Sequence, residues 1–464
     1  MKKRVLLIYP PSPVMNREDR CQQPTKELLV IPPLPPTDLL YLAAVAESVN
    51  CDAKVVDYSL GGDFEADLKE FKPDFIVANV TTPTFKSDLE SLCFAKSVLP
   101  SVKIIVKGAV FLTHNVNAIY EKTFLDYVIM GEPELSFREI LEGVPDEDIL
   151  GICYRKNMQG VKNPSRPFNE SLDDLPFPAR HLVDNSIYRR PDNGKVQAVI
   201  KVSRGCPFHC FFCLATPVSG KKVRTRSPEN IVAEIKECVE KYNITNFLFW
   251  SDIFDFDKKW TMALCNKILE EKLKITWSSN TRADTITQEL ADLMYKSGCR
   301  LMSLGVESGS QTVLDNIGKH LKLDEIRNAV KILKKAKIQI YNYFVIGLPW
   351  ETEETVEETI KFAIELDSDF ISFYTATPLP GTRFYDYAMQ NKLFDLTASF
   401  DKAYYYPVLR THKLSKERVF ELHKLAVKRY YLRPKFIIKT LLRLRTFSEF
   451  KNYFFAGINL ILRK

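Results

Sequence analysis

Three of the ten cysteines of this chain lie within eight residues, in the stretch SRGCPFHCFFC. They are Cys206, Cys210 and Cys213, at C-x3-C-x2-C spacing. A structural zinc ion takes four ligands, commonly as two separated pairs, and the nearest fourth candidate, His209, is adjacent to Cys210 and poorly placed to reach the same ion. A disulfide would leave one cysteine over. The spacing favours iron–sulfur ligation over zinc, because three thiolates leave one iron of a cubane cluster open to bind something else.

The cysteines follow the first of six strand-like segments. VQAVIKVSRG is succeeded by NFLFWS, KITWSS, RLMSLGV, IQIYNYFVIG and FISFYTA. Helical patterns separate them, notably SPENIVAEIKECVEKY, in which we expect Ser227 to be the N-cap and Pro228 to lie in the first turn. These repeats predict a partial (β/α)6 TIM-type barrel over residues 195–413, with its chemistry at the carboxyl ends of the strands.

A second α/β domain is predicted ahead of the barrel. In residues 1–145, the short β-branched segments RVLLIYP, AKVVDYS, DFIVANV, KIIVKGA and DYVIMG alternate with helical patterns. This alternation predicts a doubly wound, Rossmann-like domain with a five-stranded parallel sheet and a ligand site beyond the carboxyl ends of its strands. Residues 146–194, rich in Pro, Asn, Asp and Ser, are predicted to be a linker. Residues 414–464 are predicted to form a helical, basic tail.

Composition narrows the class of protein. The chain has 464 residues, 45% of them hydrophobic and 27% charged, which is typical of a globular protein of two or three domains. The segment MKKRVLLIYPP does not resemble a signal peptide, and no run approaches the roughly 20 apolar residues of a spanning helix. Seven cysteines are scattered through element-like segments. We therefore expect reduced thiols and a cytoplasmic location. Residues 431–464 contain eight basic residues and one acidic residue, so they carry the whole net charge of +7. A preference for nucleic acid is therefore not indicated.

The C-x3-C-x2-C motif follows the first strand of the predicted barrel, and the aromatic residue Phe212 directly precedes its last cysteine. This pattern resembles the radical S-adenosylmethionine (SAM) superfamily. The resemblance implies that Cys206, Cys210 and Cys213 hold a 4Fe–4S cluster whose open iron chelates SAM. It also implies that the reduced cluster cleaves SAM to a 5′-deoxyadenosyl radical, which abstracts hydrogen from a substrate. A small flavodoxin- or ferredoxin-type protein is the expected electron donor.

Further segments, each at the end of a predicted strand, resemble the SAM-binding motifs of the same family. FLFWSDIFDFD places Asp252 at the SAM amino group, and WSSNTRADTIT places Asn280 and Arg282 at the barrel mouth. GCRLMSLGVESGSQTVLDNIGK resembles the fourth-strand motif, and YFVIGLPWET and FYTATPLPGTRFYD resemble those of the fifth and sixth strands. The resemblance implies SAM contacts by these residues: Phe212, Asp252, Arg282, Glu307, Ser308 and Gly347.

The order of the two domains resembles the cobalamin-binding branch of the superfamily, which includes methyltransferases and the anaerobic magnesium-protoporphyrin ester cyclase. The segments IPPLPPTDLLYLAAVAE, VVDYS and MGEPELSFREIL carry this resemblance, which implies cobalamin as a further cofactor. Two departures are visible. The chain has no D-x-H-x-x-G motif, and it has Gly108–Ala109 where the family commonly has paired glycines. The alternative is a sheet that only covers the barrel or shapes the substrate pocket.

The basic tail interleaves bulky apolar residues with Lys and Arg. An amphipathic helix of this composition is typical of peripheral membrane contact, and its alternative is a helix docked on the barrel with a solvated basic face. Membrane contact would imply a hydrophobic or lipid-linked substrate.

We therefore expect an enzyme that modifies an unactivated carbon by methyl transfer, rearrangement or C–C bond formation. A cobalamin-free radical SAM isomerase, cyclase or dehydratase is the first alternative. A non-catalytic cobalamin or iron–sulfur sensor is the second.

Overall fold

The N-terminal domain is built on a twisted sheet whose first five strands are parallel. The computed structural model describes residues 2–19, 21–24, 33–112, 122–157, 159–190, 193–394, 406–442, 444 and 450. The strands of this part of the chain are β1 Arg4–Tyr9, β2 Met15–Glu18, β3 Cys21–Pro24, β4 Asp52–Asp57, β5 Phe75–Asn79, β6 Lys103–Lys107, β7 Tyr127–Ile129, β8 Ile152–Lys156 and β9 Gln159–Lys162. The helices are α1 Thr37–Ser48, α2 Phe64–Phe71, α3 Phe85–Val98 and α4 Glu134–Glu142.

The sheet order is β4-β1-β5-β6-β7-β8-β9, and two buried apolar clusters cover its two faces. Strands β4 to β7 and β1 are parallel, as expected when helices connect successive strands. The predicted doubly wound domain is confirmed.

The sheet is larger than the sequence predicts. Residues 146–194 were expected to be a linker, but β8 and β9 lie within them and extend the sheet by two antiparallel strands. They form a hairpin that turns at Asn157, whose φ of 48° lies in the left-handed region that asparagine tolerates. The high content of Pro, Asn, Asp and Ser in the whole segment hides this short hairpin, so the prediction of five strands is wrong by two.

A small hairpin formed by β2 and β3 covers the carboxyl ends of β1 and β5. Arg17 is fully buried there and donates to Asp88 of α3 at 2.9 and 3.0 Å, to the carbonyl of Asn79 at 3.1 Å and to that of Pro10 at 3.2 Å. The crevice between β1 and β5, where the strand order reverses, is thus filled by the chain's own side chains.

The second domain is the predicted partial barrel, which is confirmed. Its six parallel strands follow one another in chain order. They are β10 Ala198–Lys201, β13 Asn246–Trp250, β14 Thr276–Thr281, β15 Cys299–Glu307, β16 Gln339–Ile346 and β17 Phe370–Thr375; two short strands, β11 Ser203–Arg204 and β12 Arg224–Thr225, pair with each other beside the mouth. The helices are α5 Ala215–Ser219, α6 Pro228–Tyr242, α7 Lys258–Glu270, α8 Gln288–Lys296, α9 Gln311–Asn316, α10 Leu323–Lys335, α11 Glu353–Leu366 and α12 Arg383–Gln390.

Helix ends in the barrel follow local sequence signals. Ser227 is the N-cap of α6, as predicted: its side chain accepts from the Asn230 amide, and Pro228 is in the first turn. The helix ends at Tyr242, and its C-cap, Asn243, adopts a left-handed conformation. Such caps help to set where the next strand begins.

The tail begins with two helices, α13 Lys416–Tyr431 and α14 Pro434–Leu441. Phe436 of α14 is buried against the rings of Tyr430 and Tyr431, whereas Ile438 and Leu442 are 57% and 82% exposed. Residues 443, 445–449 and 451–464 of the predicted tail lie outside the described residues. Among those described, none of the helices has the length and apolar character that crossing a membrane requires.

Candidate functional site

The three cysteines lie in the loop between β11 and α5, at the carboxyl edge of the barrel. Cys206, Cys210 and Cys213 are not joined in disulfides and are half-buried. The Cys213 amide donates to the carbonyl of Cys210 at 3.2 Å, so the last two cysteines sit in one tight turn. The Ala215 amide donates to the sulfur of Cys213 at 3.4 Å.

Backbone contacts at both ends hold this loop in place. Gly205 has a φ of 101°, and a Cβ at this position would lie 1.9 Å from the carbonyl oxygen of Lys222, so only glycine fits. The Cys206 amide donates to the carbonyl of Gly220 at 3.0 Å. In the middle of the loop, the Phe211 amide donates to the carbonyl of Ile317 at 2.9 Å, and the Phe211 carbonyl accepts from the Phe384 amide at 3.0 Å.

Asp252, which follows β13, contacts the start of the cysteine loop. Its Oδ2 accepts a hydrogen bond of 2.6 Å from the Gly205 amide. The side-chain amide of Asn280, on the next strand, donates to the Asp252 carbonyl at 3.4 Å. The second and third strands therefore present their polar residues to the same loop.

Arg282, which follows β14, lies against the cysteine loop from the other side. Its guanidinium carbon is 3.7 Å from the centroid of the Phe208 ring, a cation–π contact. It also donates to the carbonyl of Lys319 at 2.9 Å and to Asp284 at 3.0 and 3.2 Å. Arg282 thus ties the cysteine loop to the segment that follows α9.

Glu307, at the end of β15, forms a buried ion pair with Lys319, 2.8 Å from Nζ to Oε1. Glu307 has a φ of 67° and sits at a shift in the register of β15 against β16, and such strain recurs at functional sites. Burial opposes the charged amine of Lys319, but the attraction of Glu307 and of Cys210 outweighs it and raises the pKa of Lys319. Lys319 was not among the predicted site residues, although it is the last residue of the segment GCRLMSLGVESGSQTVLDNIGK and lies twelve positions after Glu307.

The three remaining predicted residues, Ser308, Gly347 and Phe212, make their contacts within the barrel. The hydroxyl of Ser308 is fully buried and contacts Thr359 Oγ1 at 3.0 Å and the Ser310 amide at 3.1 Å, rather than the cysteine loop. The Gly347 amide donates to Glu351 Oε2 at 2.6 Å. Phe212 is half-buried against the barrel core.

A polar cavity of about 70 Å³ lies between the two domains, beside the cysteine loop. Lys107 and Glu132 contribute to its wall from the carboxyl edge of the N-terminal sheet, and Lys201, Trp250 and Asp252 contribute from the carboxyl edge of the barrel. The ligand-binding edges of both sheets therefore face one another across this cavity. Ser203 Oγ lines it, is buried, and has no hydrogen-bond partner among the described residues.

Largely buried ion pairs surround the cavity, and those of Lys201 join the two domains. Lys201 of β10 pairs with Asp38 of α1 and, at 3.1 Å, with Glu18 of β2. Lys107 pairs with Asp38 at 2.9 Å. Burial alone would raise the pKa of Asp38, but the two lysines lower it below its ordinary value, so this carboxylate stays charged.

Comparisons with known proteins identify the family. The model of the radical SAM superfamily matches residues 200–363. The uncharacterized methyltransferase PH0819 of Pyrococcus horikoshii is 32% identical over 435 residues, which are 89% of this chain and 94% of that protein. This chain belongs to the radical SAM superfamily.

Two further comparisons extend over the N-terminal domain. The anaerobic magnesium-protoporphyrin IX monomethyl ester cyclase of Rubrivivax gelatinosus is 26% identical over 361 residues, 75% of this chain and 65% of that protein. The structure of the cobalamin-dependent radical SAM enzyme OxsB, with aqua-cobalamin and SAM bound, matches with a TM-score of 0.75 at 14% identity, over 99% of this chain and 71% of that one. At this identity the likeness to OxsB shows a shared two-domain fold.

As a radical SAM enzyme, the protein uses a 4Fe–4S cluster and SAM, and its cysteine loop fits such a cluster. In the described part of the chain, no three His, Cys, Asp or Glu side chains are placed to hold a single metal ion. A cubane makes a different demand, because each thiolate ligates a different iron. Three half-buried cysteines outside disulfides, on a loop held by backbone hydrogen bonds, meet that demand.

Proposed function

We propose that this protein is a cobalamin-dependent radical SAM methyltransferase that acts on an unactivated carbon. When bound, the cluster and SAM supply an oxidising radical and cobalamin supplies the methyl group, chemistry that no side chain provides. The observation that carries the proposal is the cavity in which the carboxyl edges of both sheets meet, with Asp252 in its wall. A group held by the first domain would face the SAM site of the second. The names of the two-domain relatives, a methyltransferase and a cobalamin-dependent enzyme, support it.

In this proposal, Cys206, Cys210 and Cys213 ligate the cluster. The residues that orient SAM are Phe212, Asp252, Arg282, Glu307, Ser308, Lys319 and Gly347. Asp252 and Glu307 provide carboxylates for the amino and ribose hydroxyl groups of SAM, and Lys319 and Arg282 provide positive charge for its carboxylate. Ser308 acts through the buried contacts of its hydroxyl with Thr359 and Ser310, which hold the end of β15, rather than by touching SAM.

The lining of the interdomain cavity suits cobalamin in chemistry but not in volume. Its lysine, glutamate, aspartate and serine side chains match the carboxamides at the periphery of a corrin. However, about 70 Å³ is less than the roughly 150 Å³ that holds one benzene. The loops around the cavity would have to separate before a corrin entered. The position of the cavity supports the first candidate, but its small volume favours a second, a cobalamin-free radical SAM isomerase, cyclase or dehydratase.

The test uses full-length protein made anaerobically with added cobalamin and reconstituted with iron and sulfide. We expect about four irons and one cobalt per chain, and 5′-deoxyadenosine from SAM with dithionite, whereas Cys206→Ala should reduce that product to background. Deoxyadenosine without cobalt would identify the cobalamin-free candidate. Bound iron without deoxyadenosine would indicate a sensor and contradict both enzymatic proposals.

We propose further that α14 contacts an anionic membrane surface and that the substrate is hydrophobic or lipid-linked. Support comes from the exposed Ile438 and Leu442 and from the one-sided basic charge of residues 431–464, since each Lys or Arg near an anionic leaflet adds about 1 kcal/mol. Part of this charge is engaged within the protein, because Lys435 and Lys439 pair with Asp367 and Asp369.

Vesicles of mixed phosphatidylcholine and phosphatidylserine test the membrane proposal. We expect Ile438→Ser/Leu442→Ser to bind at least tenfold more weakly than wild type in sedimentation. The control is Leu425→Ser, which removes another exposed leucine, 43% accessible, from α13. Equal binding by all three proteins would mean that α14 is only a docked helix.

A further inference from the structure

Two arginines flank the cysteine loop and lie opposite one another on neighbouring strands. Arg204 of β11 pairs in register with Arg224 of β12. Their side chains are 14% and 2% exposed. Like charges directly opposite each other destabilise a strand pair, and buried charges need partners. This arrangement therefore requires nearby negative charge.

The negative charge comes from the N-terminal domain. Glu132 lies in the loop between β7 and α4, and Glu134 is the first residue of α4. Their side chains are 10% and 6% exposed. Glu132 accepts two hydrogen bonds from Arg224, of 2.9 and 2.8 Å, and lies 3.2 Å from Arg204. Glu134 accepts two from Arg204, of 2.6 and 3.3 Å. Two carboxylates thus neutralise two guanidinium groups across the domain boundary.

Both ion pairs reach the start of the cysteine loop. Arg204 is followed directly by Gly205 and Cys206. Arg224 donates to the carbonyl of Ser219, the last residue of α5, at 2.7 Å, and the neighbouring Gly220 carbonyl accepts from the Cys206 amide. The position of the loop therefore depends on the two glutamates of the other domain.

We propose that Glu132 and Glu134 are positioning residues for the 4Fe–4S cluster, through which the N-terminal domain sets the cluster's environment. They act through Arg204 and Arg224 and do not touch the cluster's iron. The proposal rests on the cluster of the radical SAM family and is independent of cobalamin and methyl transfer. Its consequence is that loss of one carboxylate leaves excess positive charge beside the loop. Positive charge stabilises the more negative, reduced state of the cluster.

The first experiment is an EPR-monitored redox titration of reconstituted full-length protein. Glu134→Gln and Glu132→Gln remove a charge with little change of size, and we expect both to shift the midpoint potential to more positive values. Glu170→Gln is the matched control. Glu170 pairs with Lys222 beside the same loop, at 2.5 Å, but the two side chains are 63% and 73% exposed, so water screens the pair and the potential should not change.

A charge-conserving variant separates position from charge. Glu134→Asp keeps the carboxylate but shortens it by one methylene, which draws Arg204 toward the N-terminal domain. We expect a wild-type potential with an altered EPR line shape after SAM is added. Loss of iron in a glutamine variant with a wild-type circular dichroism spectrum would also support the positioning role.

Wild-type potential and line shape in both Glu134 variants would overturn the proposal. If Glu134→Gln fails to fold, the line shape of Glu134→Asp decides in its place. Absence of iron from the wild-type protein would contradict the family-based cluster itself, and so is distinguishable from failure of this proposal.

Discussion

The ion pair of Glu307 and Lys319 depends on Gly305, because a residue without a side chain leaves room for the pair. Gly305 lies directly beneath it in β15, and a Cβ at Gly305 would come within 2.4 Å of Glu307 Oε1 and 2.9 Å of Lys319 Nζ. Both atoms are the far ends of flexible side chains. A methyl group there would displace the pair without disturbing the backbone.

We therefore predict that Gly305→Ala leaves the melting temperature within a few degrees of wild type but weakens SAM binding about tenfold or more. Equilibrium binding of SAM to the reconstituted protein measures the affinity, and calorimetry measures the melting temperature.

Gly309, four residues later, is the matched control. Its Cβ would lie 2.7 Å from the Thr359 Cα and 2.8 Å from the Glu358 carbonyl oxygen, which are backbone atoms that cannot rotate away. Gly309→Ala should be destabilised, as overpacked cores are by about 1–3 kcal/mol. Wild-type SAM affinity in Gly305→Ala would mean that the Glu307–Lys319 pair plays no part in binding.

At the scale of elements, the turn after β16 is organised by one buried carboxylate. Glu351 is fully buried and accepts from the amides of Gly347 and Leu348 at 2.6 and 2.9 Å. Burial raises the pKa of Glu351 to about 7, although the two amide hydrogen bonds oppose the rise. Between about pH 4.5 and pH 7, the folded protein therefore holds a proton at Glu351 that the unfolded chain, with its ordinary pKa of 4.5, has released.

This difference predicts that the free energy of unfolding falls as the pH rises from about 4.5 to about 7, by an amount on the order of 3 kcal/mol from this residue. Glu351→Gln cannot ionise, so its stability should change less over the same interval and exceed that of wild type at pH 8. Thermal unfolding of the cluster-free protein at pH 5 and pH 8 measures this.

The exposed Glu358 on α11 supplies the control, because Glu358→Gln should retain the pH dependence of the wild type. A Glu351→Gln protein that loses stability between pH 5 and pH 8 as steeply as wild type would show that this carboxyl group is not the cause.

At the scale of the whole molecule, charged side chains rather than apolar surface meet at the cavity between the sheets. Lys201 belongs to the first barrel strand, yet its partners Glu18 and Asp38 belong to the N-terminal domain. Breaking a buried pair by removing one partner costs about 3–5 kcal/mol, so this lysine is important for the docking of the domains.

We predict that Lys201→Ala raises amide hydrogen exchange at least about tenfold in Met15–Glu18 and in the first turn of α1, with little change in the outer barrel helices. Mass spectrometry of exchanged peptides measures this. Lys236→Ala, which removes the half-exposed partner of Glu271, should leave exchange in both segments unchanged. Equal exchange in the two variants would contradict a docking role for Lys201.

Much of this architecture was predictable from local patterns. The spacing of Cys206, Cys210 and Cys213 and the six strand patterns predicted the barrel and the place of its site, because strand and helix periods are local properties. The hairpin of β2 and β3 was missed because MNRE and CQQP are polar and lack β-branched residues. It is held by the Arg17–Asp88 pair, whose members lie 71 positions apart.

By itself, the sequence determined the order of the six barrel strands and of the five parallel strands of the N-terminal sheet, the loop of three thiols and the family. Only the tertiary structure decided which charges meet: Lys319 with Glu307, Lys201 with Asp38, and Arg204 and Arg224 with Glu134 and Glu132. The physical reason is that hydrophobic periodicity acts over a few residues. An ion pair is selected by the geometry of folded strand ends, which bring together residues separated by as many as 183 positions, as in Lys201 and Glu18.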